Sequence, residues 1–396
     1  MRNATRLVLA ALIAACSQSG PRATTSATSL PPATATTAAT SAAPSARTPS
    51  PTQSAPPPRI TDITQVFKPL ARGWRPSGTT LVVARAMVSG DITLVGVPIG
   101  PRGAVGAPTP IVSFAPAWWS LRPDGSALAV SVSTGQTERT AVWDALSGSA
   151  RWLSGDEPGA SAFAPMWSRD GASLFYVGSG ADGKTAIFRI GADGAGKKQI
   201  PGSDGFAGSL QGLTPDGGGL VWSRGQAGGS AEVLDMATGL NRHLENNARV
   251  QSWRARQPRA LLEVGGCCAG RPGGELVLWD DVALTSRVVA ARGPSGDPAW
   301  GVATWDPGGT RIAAVRFDSA SPYEGTLVVV DTESGAMREI TETRGVANVH
   351  WISEGILFTR ALRIGVEVML LPGGNGPAVS VYQDSGLIQR IEVVRP

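Results

Sequence analysis

From residue 60 to the C-terminus, short apolar runs alternate with polar turns that end in glycine. The runs at 126–132, 174–177 and 311–317 illustrate the pattern, and Asp, Pro and Gly bound most of them. Apolar runs of this length between turn residues predict β-strands. The 50 glycines and 30 prolines among 396 residues strengthen this prediction, because both residue types disfavour helix interiors. The pattern therefore predicts an all-β protein.

The strands belong to a repeated unit. Each copy starts with Trp or Leu, continues through a short turn that usually ends in Gly, and then enters an apolar strand. The starting residues are Trp74, Leu121, Trp167, Leu213, Trp253, Trp305 and Trp351. The ends of their turns are 47, 46, 46, 40, 52 and 46 residues apart. This period matches a four-stranded blade, so we predict a seven-bladed β-propeller over residues 60–396, with six or eight blades as the alternatives.

Two further features recur inside the unit. A second turn begins with Asp and ends with Gly at 144–148, 235–239 and 331–335, and a more polar run follows at 151–153, 242–244 and 338–340. We expect the polar run to be the outermost strand, since charge there discourages pairing with another sheet edge. Ring closure needs a strand from the opposite terminus. The runs at 60–67 and 387–394 are both candidates, and the sequence leaves their places open.

The repeats resemble those of TolB-type, WD-repeat-like propellers of bacterial envelope proteins. The signature of that family is Trp-Ser-Pro-Asp-Gly before an apolar strand, and this chain has Trp-Ser-Arg-Asp-Gly at 167–171 and Leu-Arg-Pro-Asp-Gly at 121–125. The resemblance covers nearly all of residues 60–396, with degenerate fifth and seventh copies. It implies binding of a protein or peptide partner in the cell envelope. That expectation rests on fold, and propellers host many functions.

The Trp or Leu at the start of each repeat has a predicted structural role. One large apolar side chain at a fixed offset in every repeat is expected to pack between adjacent blades, where a Trp buries about 150–250 Å². The alternative is an aromatic surface that stacks against a ligand. We favour packing, because one such residue per repeat is what a repeated core requires.

The first 15 residues have the features of an export signal. Arg2 and Arg6 precede the apolar run at 7–15, which is too short to span a bilayer. The run ends in Ile-Ala-Ala-Cys at 13–16, which resembles the lipobox of bacterial lipoproteins. That resemblance implies lipidation of Cys16, cleavage just before it, and attachment to the extracytoplasmic face of the cell membrane. An ordinary secretory signal cut nearby is the alternative.

Residues 16–59 are predicted to form a lipid-bearing, disordered tether. Of the 43 positions from 17 to 59, 36 are Ala, Ser, Thr or Pro, a composition that cannot bury a core. Residues 1–59 also carry five basic and no acidic side chains, whereas residues 60–396 have 30 basic and 31 acidic ones. The formal charge of +4 therefore belongs to the signal and tether. We exclude a nucleic-acid partner, because phosphate binding needs a concentrated basic surface.

One glycine-rich segment matches two nucleotide-binding patterns. Residues 178–185 read Gly-Ser-Gly-Ala-Asp-Gly-Lys-Thr, which fits both the P-loop and the dinucleotide pattern. Both patterns require a helix after the loop, since the helix N-terminus binds the phosphates. A β-rich run at 185–191 follows here. We therefore interpret the segment as a hairpin loop and predict no cofactor.

Cys267 and Cys268 are adjacent in a glycine-rich loop, and with Cys16 lipidated they are the remaining thiols. Export favours oxidation, which would give a strained vicinal disulfide and a redox-sensitive or rigid loop. Two unbonded thiols are the other interpretation. The two histidines, His243 and His350, are distant in sequence, and no Cys-x-x-Cys pair occurs. We therefore predict no metal site.

In propellers, the loops between second and third strands share one face with the connections between blades. We expect this face to bind the partner, and its candidate residues are Arg85, Glu138, Arg139, Lys184, Arg224, Arg271, Asp318, Tyr323 and Glu324. Because no Gly-x-Ser-x-Gly elbow occurs, we predict a binding or scaffold module without catalytic activity. We also expect the protein to be a monomer. The alternative is a propeller enzyme of the lactonase, lyase or glycan hydrolase type. A quinone-dependent dehydrogenase that uses the cysteine pair is a third interpretation.

Overall fold

The computed structural model describes residues 62–396, except 116–117, 136, 154–160, 180–182, 225–228, 255–256, 266–272, 294–297 and 319–324. The predicted signal peptide, Cys16 and the tether lie outside the described residues. Within this part of the chain, one short 3₁₀ helix, Ile63–Gln65, accompanies thirty β-strands. None of its helices is long and apolar enough to cross a membrane. The strands form seven sheets, which we number as blades 1 to 7.

Blade 1 takes the first five strands, which are β1 (Phe67–Pro69), β2 (Thr80–Ala86), β3 (Ile92–Gly100), β4 (Gly103–Ala104) and β5 (Thr109–Phe114). Blades 2 and 3 follow as β6 (Trp119–Leu121), β7 (Ala127–Ser133), β8 (Glu138–Asp144), β9 (Ala150–Trp152), β10 (Ser161–Trp167), β11 (Ser173–Ser179), β12 (Thr185–Gly191) and β13 (Lys198–Gln199). Blades 4 and 5 are β14 (Gly208–Leu213), β15 (Gly219–Arg224), β16 (Ala231–Asp235), β17 (Asn241–Glu245), β18 (Ala248–Trp253), β19 (Arg259–Val264), β20 (Glu275–Asp280) and β21 (Thr285–Ala290). Blades 6 and 7 are β22 (Ala299–Trp305), β23 (Arg311–Phe317), β24 (Thr326–Asp331), β25 (Met337–Arg344), β26 (Val346–Ile352), β27 (Gly355–Ala361), β28 (Val366–Pro372) and β29 (Val379–Asp384). The last strand, β30 (Leu387–Val394), returns to blade 1.

Each of blades 2 to 7 is an antiparallel meander of four consecutive strands. The first strand of each meander is innermost and the fourth is outermost. Short turns between apolar strands favour this arrangement, since they bring strands that are neighbours in sequence side by side. The prediction of an all-β, seven-bladed β-propeller is confirmed.

The ring closes in blade 1, where strands from both ends of the described chain meet. The C-terminal strand β30 is innermost and pairs antiparallel with β2, from Thr80 opposite Val394 to Ala86 opposite Leu387. At the other edge of the same blade, β1 pairs with β5. The run at 387–394 therefore fills the inner place. A continuous strand at 60–67 is wrong, because Ile63–Gln65 forms a 3₁₀ helix that begins after Asp62.

The hydrophobic core lies in the seams between neighbouring blades. In the seam of blades 5 and 6, for example, Leu261 and Leu278 of blade 5 pack with Trp305 and Val328 of blade 6. Trp305 is 5 % exposed, which is as expected for a residue that starts a repeat. The partners of this Trp come from the preceding blade, so each repeat completes the core of its neighbour.

Trp74 is an exception to the equivalence predicted for the seven starting residues. In blade 2, the starting residue Leu121 lies opposite Leu128 of the second strand. In blade 1 the innermost strand is β30, and there Val393 lies opposite Leu81, the residue that corresponds to Leu128. Val393 therefore occupies the equivalent place, and it packs in the seam of blades 7 and 1. Trp74 instead packs in the seam of blades 1 and 2. The equivalence was wrong for Trp74 because sequence spacing cannot reveal a strand supplied by the other terminus.

The turn between third and fourth strands repeats a defined geometry. In blades 2, 4 and 6 it ends in a glycine with φ near +70°, at Gly148, Gly239 and Gly335. Leu284 has the same place in blade 5, four residues after Asp280, and keeps the left-handed conformation with φ of 53°. A side chain in this conformation is strained by its Cβ. Leu284 therefore carries backbone strain that the equivalent glycines avoid.

Candidate interaction face

Strand direction divides the propeller into two faces. We call the loop face the side where second strands end, third strands begin and the chain passes to the next blade; the turn face is opposite. Six of the predicted binding residues are described, and all six lie at the loop-face ends of their strands or beside them: Arg85, Glu138, Arg139, Lys184, Arg224 and Asp318. The other three, Arg271, Tyr323 and Glu324, lie outside the described residues, as do Cys267 and Cys268.

Arg85 is part of a buried polar cluster where blade 7 meets blade 1. Its Nη1 lies 3.2 Å from Oδ2 of Asp384, and the Tyr382 hydroxyl donates to the same oxygen at 2.7 Å. The backbone N–H of Gly386 donates to the other carboxylate oxygen at 2.7 Å. Burial, together with the bond to Asp384, raises the pKa of Tyr382 to about 12. The cluster therefore holds Arg85 in place just before the closing strand begins.

Arg224 in blade 4 is held in a similar way. Its Nε lies 3.7 Å from Oε1 of Glu232, which also accepts a 2.6 Å hydrogen bond from the Ser230 hydroxyl. His243 Nδ1 lies 3.4 Å from the same oxygen. The Arg224 guanidinium carbon is 5.2 Å from the centroid of the Trp222 ring, within cation–π distance. The carboxylate is buried and the arginine is exposed, so the positive charge faces solvent.

Glu138, Arg139 and Lys184 lie on blades 2 and 3. Burial raises the pKa of Glu138, and no ion pair joins its carboxylate to a described residue. The guanidinium carbon of Arg139 is 4.3 Å from the centroid of the Trp152 ring. Lys184 is exposed before β12. A phosphate loop would require a helix after the glycine-rich segment. The chain instead forms a strand from Thr185, which confirms that no helix follows.

In blade 6, Asp318 belongs to a group with the opposite charge balance. Arg316 donates to Asp318 through Nε at 2.8 Å and to Glu339 through Nη2 at 2.8 Å. The hydrogen bond to Asp318 is the largest cause that raises the pKa of Arg316. Here the arginine is the less exposed member, and the two carboxylates face solvent.

Two further arginines on the loop face were missed by the sequence analysis. In blade 5, Nη2 of Arg249 lies 2.7 Å from Oε2 of Glu263, and the Gln251 amide donates to the same oxygen. In blade 7, Nε and Nη2 of Arg360 each lie 2.8 Å from Oε2 of Glu367. Both carboxylates are buried. The arrangement repeats that of Arg224, although the acids come from different strands.

The repeat itself contains a signal that could have found most of these arginines. Three of them lie eleven residues after the start of a repeat, and the pairs are Trp74 and Arg85, Leu213 and Arg224, and Trp305 and Arg316. Arg360 follows Trp351 by nine residues, because the turn of blade 7 is shorter: Ile352 pairs directly with Gly355. The position is the loop-face end of the second strand. Aligning the seven repeats would therefore have grouped these residues.

The innermost strands of neighbouring blades bring a second group of ionisable residues together. Arg390 and Glu392 of β30 form an ion pair, and the Arg390 guanidinium carbon is 4.7 Å from the centroid of the Trp119 ring. His350 lies on the adjacent strand β26. Desolvation lowers the pKa of His350, and Glu392 and Arg390 act on it in opposite directions. Among the described residues, no group of three His, Cys, Asp or Glu side chains is arranged to hold a metal ion.

No protein-family model and no curated protein matches the chain. Among solved structures, it is similar to a puromycin hydrolase, with 16 % identity and a TM-score of 0.56 over 79 % of this chain and 54 % of the hydrolase. It is similar to a putative 6-phosphogluconolactonase from Bacteroides uniformis, with 13 % identity and a TM-score of 0.50 over 80 % of this chain and 99 % of the lactonase. TolB from Acinetobacter baumannii aligns with 16 % identity and a TM-score of 0.40 over 69 % of this chain and 65 % of TolB. The chain thus spans less than two thirds of TolB and about half of the hydrolase.

The likenesses to the hydrolase and to the lactonase show a β-propeller fold and nothing finer, because identities of 13–16 % carry no function. They also correct one prediction. The conclusion that the protein has no catalytic activity is wrong as an inference from the sequence, since propeller hydrolases and lactonases share this fold. The fold is compatible with binding proteins and with enzymes, and it does not choose between them.

Proposed function

We propose that this protein is an exported, lipid-anchored propeller that binds a protein or peptide partner in the cell envelope through its loop face. The observation that carries the proposal is the set of half-exposed arginines on that face, each held by a carboxylate from a different strand. Side chains fixed in this way lose little conformational entropy when a partner binds. The resemblance of the repeats to TolB-type propellers supports the same class of partner.

Crosslinking of intact cells followed by mass spectrometry tests the binding function. The wild-type protein is compared with a variant that carries Arg271→Ala, Tyr323→Ala and Glu324→Ala, three predicted loop-face residues. We expect the wild type to give a reproducible set of crosslinked envelope proteins and the variant to lose members of it. An unchanged set would contradict the proposal.

The lipid anchor is tested separately by membrane fractionation. Cys16→Ser removes the sulfur that carries the lipid, so the variant should leave the membrane fraction or keep its uncleaved signal. Cys267→Ser is the matched control, because it removes a thiol that has no role in anchoring. If the Cys16→Ser variant is cleaved like the wild type and still fractionates with membranes, the anchor is not on Cys16.

A further inference from the structure

Four arginines of the loop face share one arrangement, in which a buried carboxylate holds an arginine that is partly or fully exposed. The exposed fractions of arginine and acid are 35 % and 7 % for Arg85 with Asp384, and 61 % and 8 % for Arg224 with Glu232. They are 57 % and 7 % for Arg249 with Glu263, and 33 % and 9 % for Arg360 with Glu367. The negative charge therefore lies beneath the surface, and the positive charge lies on it.

Each of these guanidinium groups can make further hydrogen bonds. A guanidinium carries five N–H donors in a fixed plane, and one carboxylate engages only part of them. Burial of the acid fixes the arginine, because a buried carboxylate without its cation is costly. The result is a set of positioned donors whose geometry suits a second carboxylate from outside the chain.

The four arginines lie on blades 4, 5, 7 and 1, which makes two neighbouring pairs. Arg224 and Arg249 form one pair, and Arg360 and Arg85 form the other. Blade 6 separates them and exposes Asp318 and Glu339, which are 55 % and 49 % exposed. The loop-face arc from blade 4 through blades 5, 6 and 7 to blade 1 is therefore cationic at two places, with an acidic blade between them.

We infer that the loop-face partner is an acidic protein segment whose Asp and Glu side chains bind these two arginine pairs. This inference rests on the proposed function and names the chemistry of its partner. An interrupted arc suits carboxylates on a peptide, which can be spaced to meet both pairs. A continuous polyphosphate does not fit, because blade 6 would repel it and residues 60–396 have no excess of basic side chains.

A direct binding experiment tests the inference. The full chain is titrated into a fluorescent peptide of alternating Glu and Ala, into its Gln and Ala counterpart, and into duplex DNA, and anisotropy is measured at low and at physiological salt. We expect binding of the Glu peptide alone, weaker at the higher salt because exposed charges are screened. Equal binding of the Gln peptide or of DNA overturns the inference, as does no binding of the Glu peptide.

The test variant neutralises both members of two arginine–carboxylate ion pairs, one from each arginine pair, rather than single arginines. Arg224→Gln with Glu232→Gln, combined with Arg360→Gln with Glu367→Gln, leaves the net charge unchanged and leaves no buried charge unpaired. We expect the affinity for the Glu peptide to fall about tenfold or more, since charge-assisted contacts are lost from both arginine pairs. Thermal unfolding verifies that the variant is folded.

The matched control is Arg75→Gln with Arg102→Gln, which removes two exposed arginines from the turn face. We expect this control to keep most of the affinity. An equal loss in the control would mean general attraction and would overturn the inference. If the Glu peptide does not bind although the loop-face triple variant loses its crosslinks, the proposed function stands and the acidic partner does not.

Discussion

Arg242 in the outermost strand of blade 4 binds Asp281 of blade 5, with Nη2 and Oδ2 2.8 Å apart. Asp281 lies in the turn between the third and fourth strands, which we call the outer turn of a blade. Three other blades have an arginine in the same register that binds a backbone carbonyl of the next outer turn. These are Arg151 to Asp193 at 2.9 Å, Arg338 to Gly374 at 2.7 Å, and Arg287 to Thr332. The polar outer strands therefore do more than discourage edge pairing, because their arginines join neighbouring blades.

Replacing Arg242 should weaken the seam between blades 4 and 5. Arg242→Met leaves the Asp281 carboxylate, which is 10 % exposed, with only the Trp279 indole as donor among the described residues. We expect the free energy of unfolding to fall by about 1–2 kcal/mol, a value that allows for solvent screening of the half-exposed arginine. Denaturant unfolding measures it.

Lys198 provides the control for this variant. It occupies the same register in blade 3, opposite Arg189, and its side chain forms no hydrogen bond or ion pair with the described part of the chain. Lys198→Met should therefore change stability by no more than about 0.5 kcal/mol. Equal losses in the two variants would mean that the contact across the seam does not stabilise the ring.

A second contact between blades explains why one turn glycine is more constrained than another. The side chain of Arg122 in blade 2 lies over Gly171 in blade 3, where an added Cβ would be 2.5 Å from Nε. Gly217 ends the same turn in blade 4 with a similar φ of 72° and open space around it. Both alanine variants strain the backbone, but only Gly171→Ala also displaces the arginine. We expect it to cost about 1 kcal/mol more than Gly217→Ala in thermal unfolding, and equal costs would contradict this contact.

Leu284 offers a stabilising substitution. Because its φ of 53° belongs to the left-handed region and its side chain is 59 % exposed, Leu284→Gly relieves strain while it loses little buried area. We expect a gain of about 0.5–1 kcal/mol in the free energy of unfolding. Leu146→Gly, in the corresponding turn of blade 2 but two residues before its left-handed glycine, should give no gain. A loss in Leu284→Gly would show that the leucine contributes more by contact than it costs by strain.

His350 should make the propeller sensitive to mild acid. Desolvation lowers its pKa, so below about pH 6.5 the unfolded chain binds a proton that the folded protein resists. The free energy of unfolding therefore falls as the pH drops through this range. His350→Gln should flatten the dependence in denaturant melts at neutral and mildly acidic pH, whereas His243→Gln, at a side chain 47 % exposed, serves as the control. If His350→Gln and wild type lose stability in parallel, another group is responsible.

Much of the fold could be predicted because the repeat reports on local structure. The strands Arg311–Phe317 and Leu387–Val394 form where apolar runs predicted them. The closure could not be predicted, since both termini offered short apolar runs and the choice depends on pairing across the whole chain. The same pairing explains Val393, which fills the place predicted for Trp74.

Less of the candidate site could be predicted. Topology correctly brought six described residues to the loop face, because the alternation of strand directions is set by the repeat. The carboxylates that hold the arginines were missed, since Asp384 and Glu367 come from different strands and only tertiary packing buries them. Sequence reports which side chains are charged, whereas their exposure decides which charge faces a partner.

The most direct test of the proposed binding function is site-specific photocrosslinking in intact cells. A photoreactive residue is placed at Lys184 on the loop face, or at Arg75 or Arg102 on the turn face, with Cys16 and the rest of the chain unchanged. We expect crosslinks to a discrete envelope protein from the loop face and none from the turn face. Equal crosslinking from both faces, or crosslinks from the turn face alone, would contradict it.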